Sequence, residues 1–249
     1  MLTKGDLEYL HKQKFNILCK ATKSIFFMFE KRYKEAFGRA STERKEKILE
    51  VGIEEFASKG YENANINIIA KNSGISIGLM YKYFNTKEDL FITCIQRGMS
   101  ILEEAVDEII KSNDSLIVKA EKLIRTTCRL SQTPENANYV KLYNEITSER
   151  NCEKAKEYAK AIEELTSRKY IKCITDALAS GDLRQDMDPR LFAFFLDNLL
   201  TSLQFSFTCD YYRNRLEIYT GVNVEELSED QIVKQLLKFI ESAFTFEKQ

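Results

Sequence analysis

The chain has 249 residues, and its 37 basic side chains nearly balance 38 acidic ones. This balance argues against binding of nucleic acid by bulk positive charge, although it does not exclude a local basic surface. Only two prolines and nine glycines are present, which favours long helices over a many-turned β protein. No apolar run approaches the roughly 20 residues of a membrane-spanning helix, so we expect no membrane partner.

The residue types that usually build metal and catalytic sites are scarce or scattered. His11 is the only histidine, and the six cysteines form no C-x-x-C pair. We therefore expect no metal site, no cofactor and no enzymatic activity, because a serine or cysteine nucleophile would lack a conventional base. Reduced cysteines and the lack of a signal peptide favour a cytoplasmic protein. Thiol redox sensing stays open for Cys19, Cys94, Cys128, Cys152, Cys173 and Cys209.

Residues 1–40 form a basic N-terminal extension with nine basic and four acidic side chains. Two interpretations are open: a partly disordered extension, or a mis-assigned start, with synthesis beginning at Met28 or nearby. If the extension is present, its removal should flatten the salt dependence of any DNA binding.

From Ser41 onward the apolar residues recur at helical spacing. Ser41 or Thr42 caps a first helix, for which Gly60 is a plausible stop. Two short helices follow over 65–72 and 76–84. Thr86 then caps a long helix that runs toward Lys111.

The rest of the chain reads as helical, without a convincing strand. Pro134 and Pro189 each follow a capping residue, as expected at a first helical position. Gly181 fits a helix end, and Ser228 and Gln231 have capping-box spacing. The sequence therefore predicts an all-α protein of about ten helices, including segments 115–131, 134–150, 153–180, 189–215 and 229–246.

Residues 65–84 have the spacing of a helix-turn-helix. Ala70 is small enough for a second helix to cross closely, and Gly74 makes the turn. An ordinary helical hairpin is the alternative, since alanine and glycine four residues apart are common. The apolar residues that would lock the two helices together are Ile66, Ile69, Ile75, Met80 and Phe84.

Segment 42–91 resembles the DNA-binding domain of the TetR family of bacterial transcriptional regulators. The resemblance rests on Phe56-Ala57 with Gly60-Tyr61, Ile69-Ala70 with Gly74-Ile75-Ser76, Gly78, Tyr81-x-Tyr83-Phe84, and Lys87-Glu88-Asp89-Leu90. It implies a three-helix, helix-turn-helix DNA-binding domain over 41–90. It also implies an antiparallel helical domain over 91–249 for effector binding and dimerisation.

The same resemblance assigns roles in binding double-stranded operator DNA. Asn65 would touch a backbone phosphate, Tyr81 and Tyr83 would donate hydroxyls to phosphates, and Lys82 would supply charge. Lys87 would bind phosphate together with the free amides at its helix N-terminus. The full set of candidate DNA-binding residues is Asn65, Ser76, Ile77, Leu79, Tyr81, Lys82, Tyr83 and Lys87.

Two features depart from the usual family pattern. Ile77 and Leu79 stand where polar residues are common, so either they pack against thymine methyls or one of them faces the core. In addition, segment 41–97 has no net charge. Recognition of the operator would then depend on individual contacts and on DNA shape more than on attraction between the net charge of the protein and the DNA.

Residues 98–249 carry a net charge of −6 and many aromatic side chains. The resemblance implies a cavity here for a small, mostly apolar effector of unknown identity. Aromatic residues at helical spacing are also ordinary core residues, so both interpretations are open for each of them. The candidate cavity residues are Phe91, Tyr139, Tyr143, Tyr158, Phe195 and Phe205.

We also expect a homodimer, because a symmetric operator needs two recognition helices about one DNA turn apart. Two apolar stripes are candidates for the interface, and intramolecular packing is the alternative for both. The first stripe is Phe192, Phe195, Leu196, Leu199, Leu200 and Leu203. The second stripe is Ile232, Leu236, Leu237, Ile240 and Phe244.

The sequence thus predicts a ligand-responsive DNA-binding regulator. A repressor that its effector releases from the operator is the first expectation, on family habit. The alternative is a helical protein-interaction module that lacks sequence-specific DNA binding.

Overall fold

A computed structural model describes residues 30–147 and 153–244 of the chain. Within these ranges the protein is all-α, with eleven α-helices, a single 3-10 turn at Val224–Glu226 and no strand. The predicted fold class is therefore confirmed. The helices are α1 (Glu35–Gly38), α2 (Thr42–Asn63), α3 (Ile66–Asn72), α4 (Ile77–Tyr83), α5 (Lys87–Ile110), α6 (Leu116–Gln132), α7 (Pro134–Thr147), α8 (Glu153–Ser180), α9 (Pro189–Thr208), α10 (Asp210–Thr220) and α11 (Glu229–Phe244).

Local capping signals place most helix starts. Ser76 Oγ accepts a hydrogen bond from the Leu79 amide, and Thr86 Oγ1 accepts one from the Asp89 amide. The side chains of Ser228 and Gln231 bond reciprocally to each other's backbone amides, which is the geometry of a capping box. These caps lie where the sequence predicts them because each depends on residues at most three positions apart.

The N-terminal head consists of α1 to α4 and the first turns of α5, and it begins before residue 41. Phe37 is only 2% exposed and packs against Tyr83 and Phe84, with ring centroids 5.5 and 4.8 Å apart. The predicted boundary between an extension and the head therefore falls too late. Residues 1–29, including Met28 and His11, lie outside the described residues.

Helix α5 belongs to both halves of the molecule. Leu90 and Phe91 lie in the core of the head, whereas Val106 and Ile109 lie in a second core built from α6 and α8 to α11. A domain boundary at residue 90 therefore cuts through one continuous helix. Helix α7 bridges the halves as well, because Leu142 and Ile146 pack into the core of the head.

The predicted helix over 189–215 is wrong, because the chain forms two helices there. Cys209 adopts an extended backbone conformation between α9 and α10. No glycine or proline marks this break, and α10 buries none of its residues, so local sequence gives no sign of it. The last residues of the predicted helices 134–150 and 229–246 lie outside the described residues.

The described ranges contain neither a membrane-spanning helix nor a cluster of metal-binding side chains. No helix there is long and apolar enough to cross a bilayer. In the same ranges, no group of three or more His, Cys, Asp or Glu side chains is arranged to hold a metal ion.

Candidate nucleic-acid interface and ligand cavity

Helices α3 and α4 form a helix-turn-helix. Gly74 has a φ of +70°, and the amides of Gly74 and Ile75 donate to the carbonyls of Lys71 and Ala70. This pair of bonds is a Schellman motif, which closes α3 and needs a residue in the left-handed region. Of the predicted apolar lock, Ile66, Ile69, Met80 and Phe84 are buried, and Ile75 packs against the same core.

Helix α4 exposes a short face suited to a DNA groove. Ile77 is 38% exposed and Tyr81 is 47% exposed, while Ser76 and Lys82 are also exposed. Leu79 is half-buried and packs against the core of the head, which fits the alternative in which one of Ile77 and Leu79 faces the core. Apolar contact with DNA on this face would thus involve Ile77.

Two residues expected to bind phosphate lie elsewhere. Tyr83 is 4% exposed and packs against Phe37, because the N-terminal segment covers that side of α4. Lys87 Nζ donates to the carbonyls of Tyr61, Glu62 and Ala64 at 2.8, 3.0 and 3.2 Å. Its charge thus compensates the carbonyl end of α2. The phosphate roles expected for Tyr83 and Lys87 stay predictions.

A residue that sequence reasoning missed supports the recognition helix. Lys34 Nζ donates to the carbonyl of Tyr81 at 2.8 Å, and its amide donates to the carbonyl of Tyr83 at 2.9 Å. Lys34 thereby satisfies free carbonyls at the end of α4. Asn65 is exposed at the start of α3, but its side chain caps that helix by accepting from the Asn67 amide.

A cavity of about 140 Å³ lies in the C-terminal half, between α5, α6, α7, α8 and α9. Tyr139 and Tyr143 line it, as the sequence analysis proposed. The other four candidates are not among its lining residues. Phe91 packs against Phe56 in the head, Tyr158 is buried beside Gln96 between the two halves, Phe195 is 51% exposed, and Phe205 packs against Tyr212.

The cavity wall is mainly apolar, and most of its polar members were missed from sequence. They come from four different helices, so no local motif connects them. The polar side chains missed were Thr126, Thr127, Asn136, Glu163, Thr166, Tyr170, Asp197, Thr201 and Gln204.

Two carboxylates stand out in this wall. Glu163 accepts a hydrogen bond from the Tyr143 hydroxyl. Burial, together with the nearby charge of Glu163, raises the pKa of Asp197 to about 6. Burial, followed by the bond to Glu163, also raises the pKa of Tyr143.

Three of the described cysteines are shielded from solvent. Cys94, Cys128 and Cys173 are buried free thiols, and burial raises the pKa of each. A raised pKa disfavours the thiolate that redox chemistry needs. Cys19 and Cys152 lie outside the described residues.

A helix-turn-helix head joined to an all-helical domain with an internal cavity defines a one-component transcriptional regulator. Residues 48–94 match the family model described as bacterial regulatory proteins, tetR family. Residues 48–94 therefore resemble the DNA-binding domain of this family, and the chain shares its fold with solved TetR-family regulators.

Three comparisons show the range of similar proteins. The chain is 26% identical to the fatty acid metabolism regulator protein of Bacillus subtilis (strain 168) over 148 residues, which are 58% of this chain and 73% of that protein. A TetR-family regulator from Chloroflexus aurantiacus superposes with a TM-score of 0.61 at 20% identity, over 86% of this chain and 99% of that one. AibR, in complex with isovaleryl coenzyme A and operator DNA, superposes with a TM-score of 0.60 at 17% identity. The superposition covers 79% of this chain and 97% of that one.

Proposed function

We propose that this protein is a dimeric repressor that an effector releases from its operator by filling the cavity. This proposal rests on the observation that α5 runs without a break from the head to the cavity. Leu90 and Phe91 anchor its first turns in the head, and Gly98, Met99 and Leu102 line the cavity further along the helix. A displacement of α5 at the cavity therefore reorients the head.

Helix α7 supplies a second connection. Tyr139 and Tyr143 face the cavity, while Glu145 on the same helix accepts a hydrogen bond from the Tyr61 amide at 3.0 Å. Tyr61 follows the kink of α2 at Gly60. A ligand that moves α7 therefore acts on the helix that supports the helix-turn-helix.

The size of the cavity gives a reason for the movement. A void of about 140 Å³ is comparable to engineered cavities of about 150 Å³ that accept benzene. A larger effector must push the helices apart, and it then binds the opened conformation more tightly than the closed one. Such differential binding shifts the population of head positions.

The dimer is supported by apolar side chains that the single chain leaves in solvent. Leu191, Phe194 and Phe195 on α9 are all more than half exposed, as is Phe239 on α11. Phe192 and Phe244 pack together with ring centroids 4.3 Å apart and so join the two helices. Of the predicted stripes, Leu196, Leu200, Ile240 and Phe244 are instead buried within the chain. We propose that the outward residues of α9 and α11 meet a second copy.

The proposed setting is the cytoplasm, where operator DNA is accessible. We infer no catalytic role, because the described lining residues of the cavity include no serine, cysteine or histidine.

Operator binding is tested by fluorescence anisotropy with DNA from upstream of the protein's own coding region. The proposal predicts a complex that prefers this DNA over a scrambled duplex and weakens as salt rises. Tyr81→Ala should weaken it, and size-exclusion chromatography with light scattering should give a dimer. Equal affinity for both duplexes, or no binding at low salt, would instead support the protein-interaction module.

A further inference from the structure

The charge of the cavity wall restricts what can bind inside it. Its described lining residues include two carboxylates, Glu163 and Asp197, and among them is no lysine, arginine or histidine. The remaining wall is dominated by isoleucine, leucine, valine and methionine side chains from five helices. A ligand therefore meets an apolar surface that carries negative charge on one side only.

Asp197 lacks a partner of its own. Among the described residues, no hydrogen bond or ion pair reaches its carboxylate, unlike that of Glu163, which accepts from Tyr143. Partial burial raises the free energy of the charged form, as the raised pKa of about 6 reflects. A cation placed beside Asp197 would offset this cost.

Tyr170 offers a further polar group to a ligand of the cavity. It lines the cavity, is only 6% exposed, and its hydroxyl has no hydrogen-bond partner among the described residues. Burial, with the charge of Asp197 nearby, raises the pKa of this hydroxyl. The Tyr170 hydroxyl is therefore available to bond a polar atom of a ligand in the cavity.

We propose that the effector is an apolar molecule bearing a protonated amine, held at Asp197 and Glu163. Its hydrocarbon part would lie against apolar lining residues such as Met99, Leu102 and Leu123. This inference rests on the proposed function, in which a ligand of the cavity controls DNA binding. Coenzyme A thioesters, the ligand class in the AibR complex, carry several phosphate charges, and no basic side chain among the described lining residues would neutralise them.

The ligand class is tested with four probes in isothermal titration calorimetry at pH 7.5. The matched set is 2-phenylethylamine, 2-phenylethanol and phenylacetate, and octanoyl coenzyme A represents the thioesters. We expect the amine to bind at least about tenfold more tightly than the alcohol, because a charge-assisted hydrogen bond adds roughly 1.4 kcal/mol. Phenylacetate should bind most weakly of the matched set.

Variants identify the responsible carboxylates. Asp197→Asn should reduce the affinity for the amine to that for the alcohol, and leave the affinity for the alcohol unchanged. Glu163→Gln should lower amine binding by a smaller factor, because Tyr143 already shares that charge. Glu104→Gln is the matched control, since Glu104 is an exposed carboxylate of α5 outside the cavity wall.

Operator binding is measured on the same preparations, so the two proposals can fail separately. Tighter binding of phenylacetate or octanoyl coenzyme A, equal binding of amine and alcohol, or no binding of any probe would overturn the amine inference. Loss of sequence-preferring DNA binding would overturn the proposed function. An amine that binds through Asp197 without altering operator affinity would support the ligand class and contradict the proposed release mechanism.

Discussion

The carboxylate of Glu145 accepts a hydrogen bond from the backbone amide of Tyr61 across 3.0 Å, and so joins α7 to α2. The approach is close because Gly60 has no side chain. A Cβ there would lie 3.1 Å from Glu145 Oε1, and its φ of +71° is one that glycine adopts most readily. This hydrogen bond thus connects α7, which lines the cavity, to α2, which supports the recognition helix.

Glu145→Ala should loosen this contact and leave the helices intact. The Tyr61 amide loses its acceptor, so we expect its hydrogen exchange to accelerate and the free energy of unfolding to fall by about 1–2 kcal/mol. Hydrogen–deuterium exchange read by NMR would show this directly. Lys141→Ala, an exposed change on the same helix, is the control. Unchanged exchange at Tyr61 would contradict the proposed connection.

Gly98 and Tyr139 form a second close contact, between α5 and α7. A Cβ on Gly98 would lie 2.5 Å from Tyr139 Cδ1, so the ring must move. Gly98→Ala should destabilise the protein by about 1–3 kcal/mol through overpacking. In a Tyr139→Ala background the same change should be neutral or stabilising, because alanine favours a helix more than glycine does. Thermal unfolding of the wild type, the two single variants and the double variant gives a double-mutant cycle. If the changes in unfolding free energy simply add, the contact is refuted.

Asp197 should make stability depend on pH in a direction opposite to that of most acids. Its folded pKa of about 6 lies above the unfolded value near 3.8, so the folded protein holds the proton more tightly. The cost of burying the charge is therefore absent below pH 4 and fully present above pH 6.

Asp197→Asn should accordingly raise the free energy of unfolding at pH 7.5 by about 1–2 kcal/mol. This is less than the roughly 3 kcal/mol of the full shift, because solvent reaches part of the site. At pH 4 the variant and the wild type should be equally stable. Denaturant unfolding at both pH values measures the difference, and a gain that persists at pH 4 would rule out the charge as its cause.

The exposed face of α4 predicts unequal roles for its two tyrosines. Tyr81→Ala should weaken operator binding about fivefold per subunit, the effect of one lost hydrogen bond. Tyr83→Phe should leave it unchanged, because that ring is buried. Lys82→Ala should lower the slope of log affinity against log salt by about 1 per subunit. Anisotropy titrations at several salt concentrations test all three, and a strong effect of Tyr83→Phe would show that its hydroxyl does reach DNA.

The sequence alone determined those features that depend on neighbouring residues. Ser76 and Thr86 cap their helices, Pro134 and Pro189 begin theirs, and Gly74 makes the turn of the helix-turn-helix. Each feature depends on backbone groups within a few residues, so the local amino-acid sequence is sufficient to predict it. The class of protein followed from these local features in combination.

The tertiary structure decided which faces meet. Tyr83 is buried because Phe37 packs on it from a segment nearly fifty residues earlier. Lys87 binds at the end of α2 because three carbonyls converge there.

The cavity was likewise beyond the sequence. Asp197 and Tyr170 come from different helices, and only packing brings their side chains to one wall. Helical periodicity shows which residues share a face of one helix, but the free energy of burial depends on the partner across the interface. Local chemistry therefore fixed the helices and the motif, whereas long-range packing fixed the ligand site and the residues that connect it to DNA.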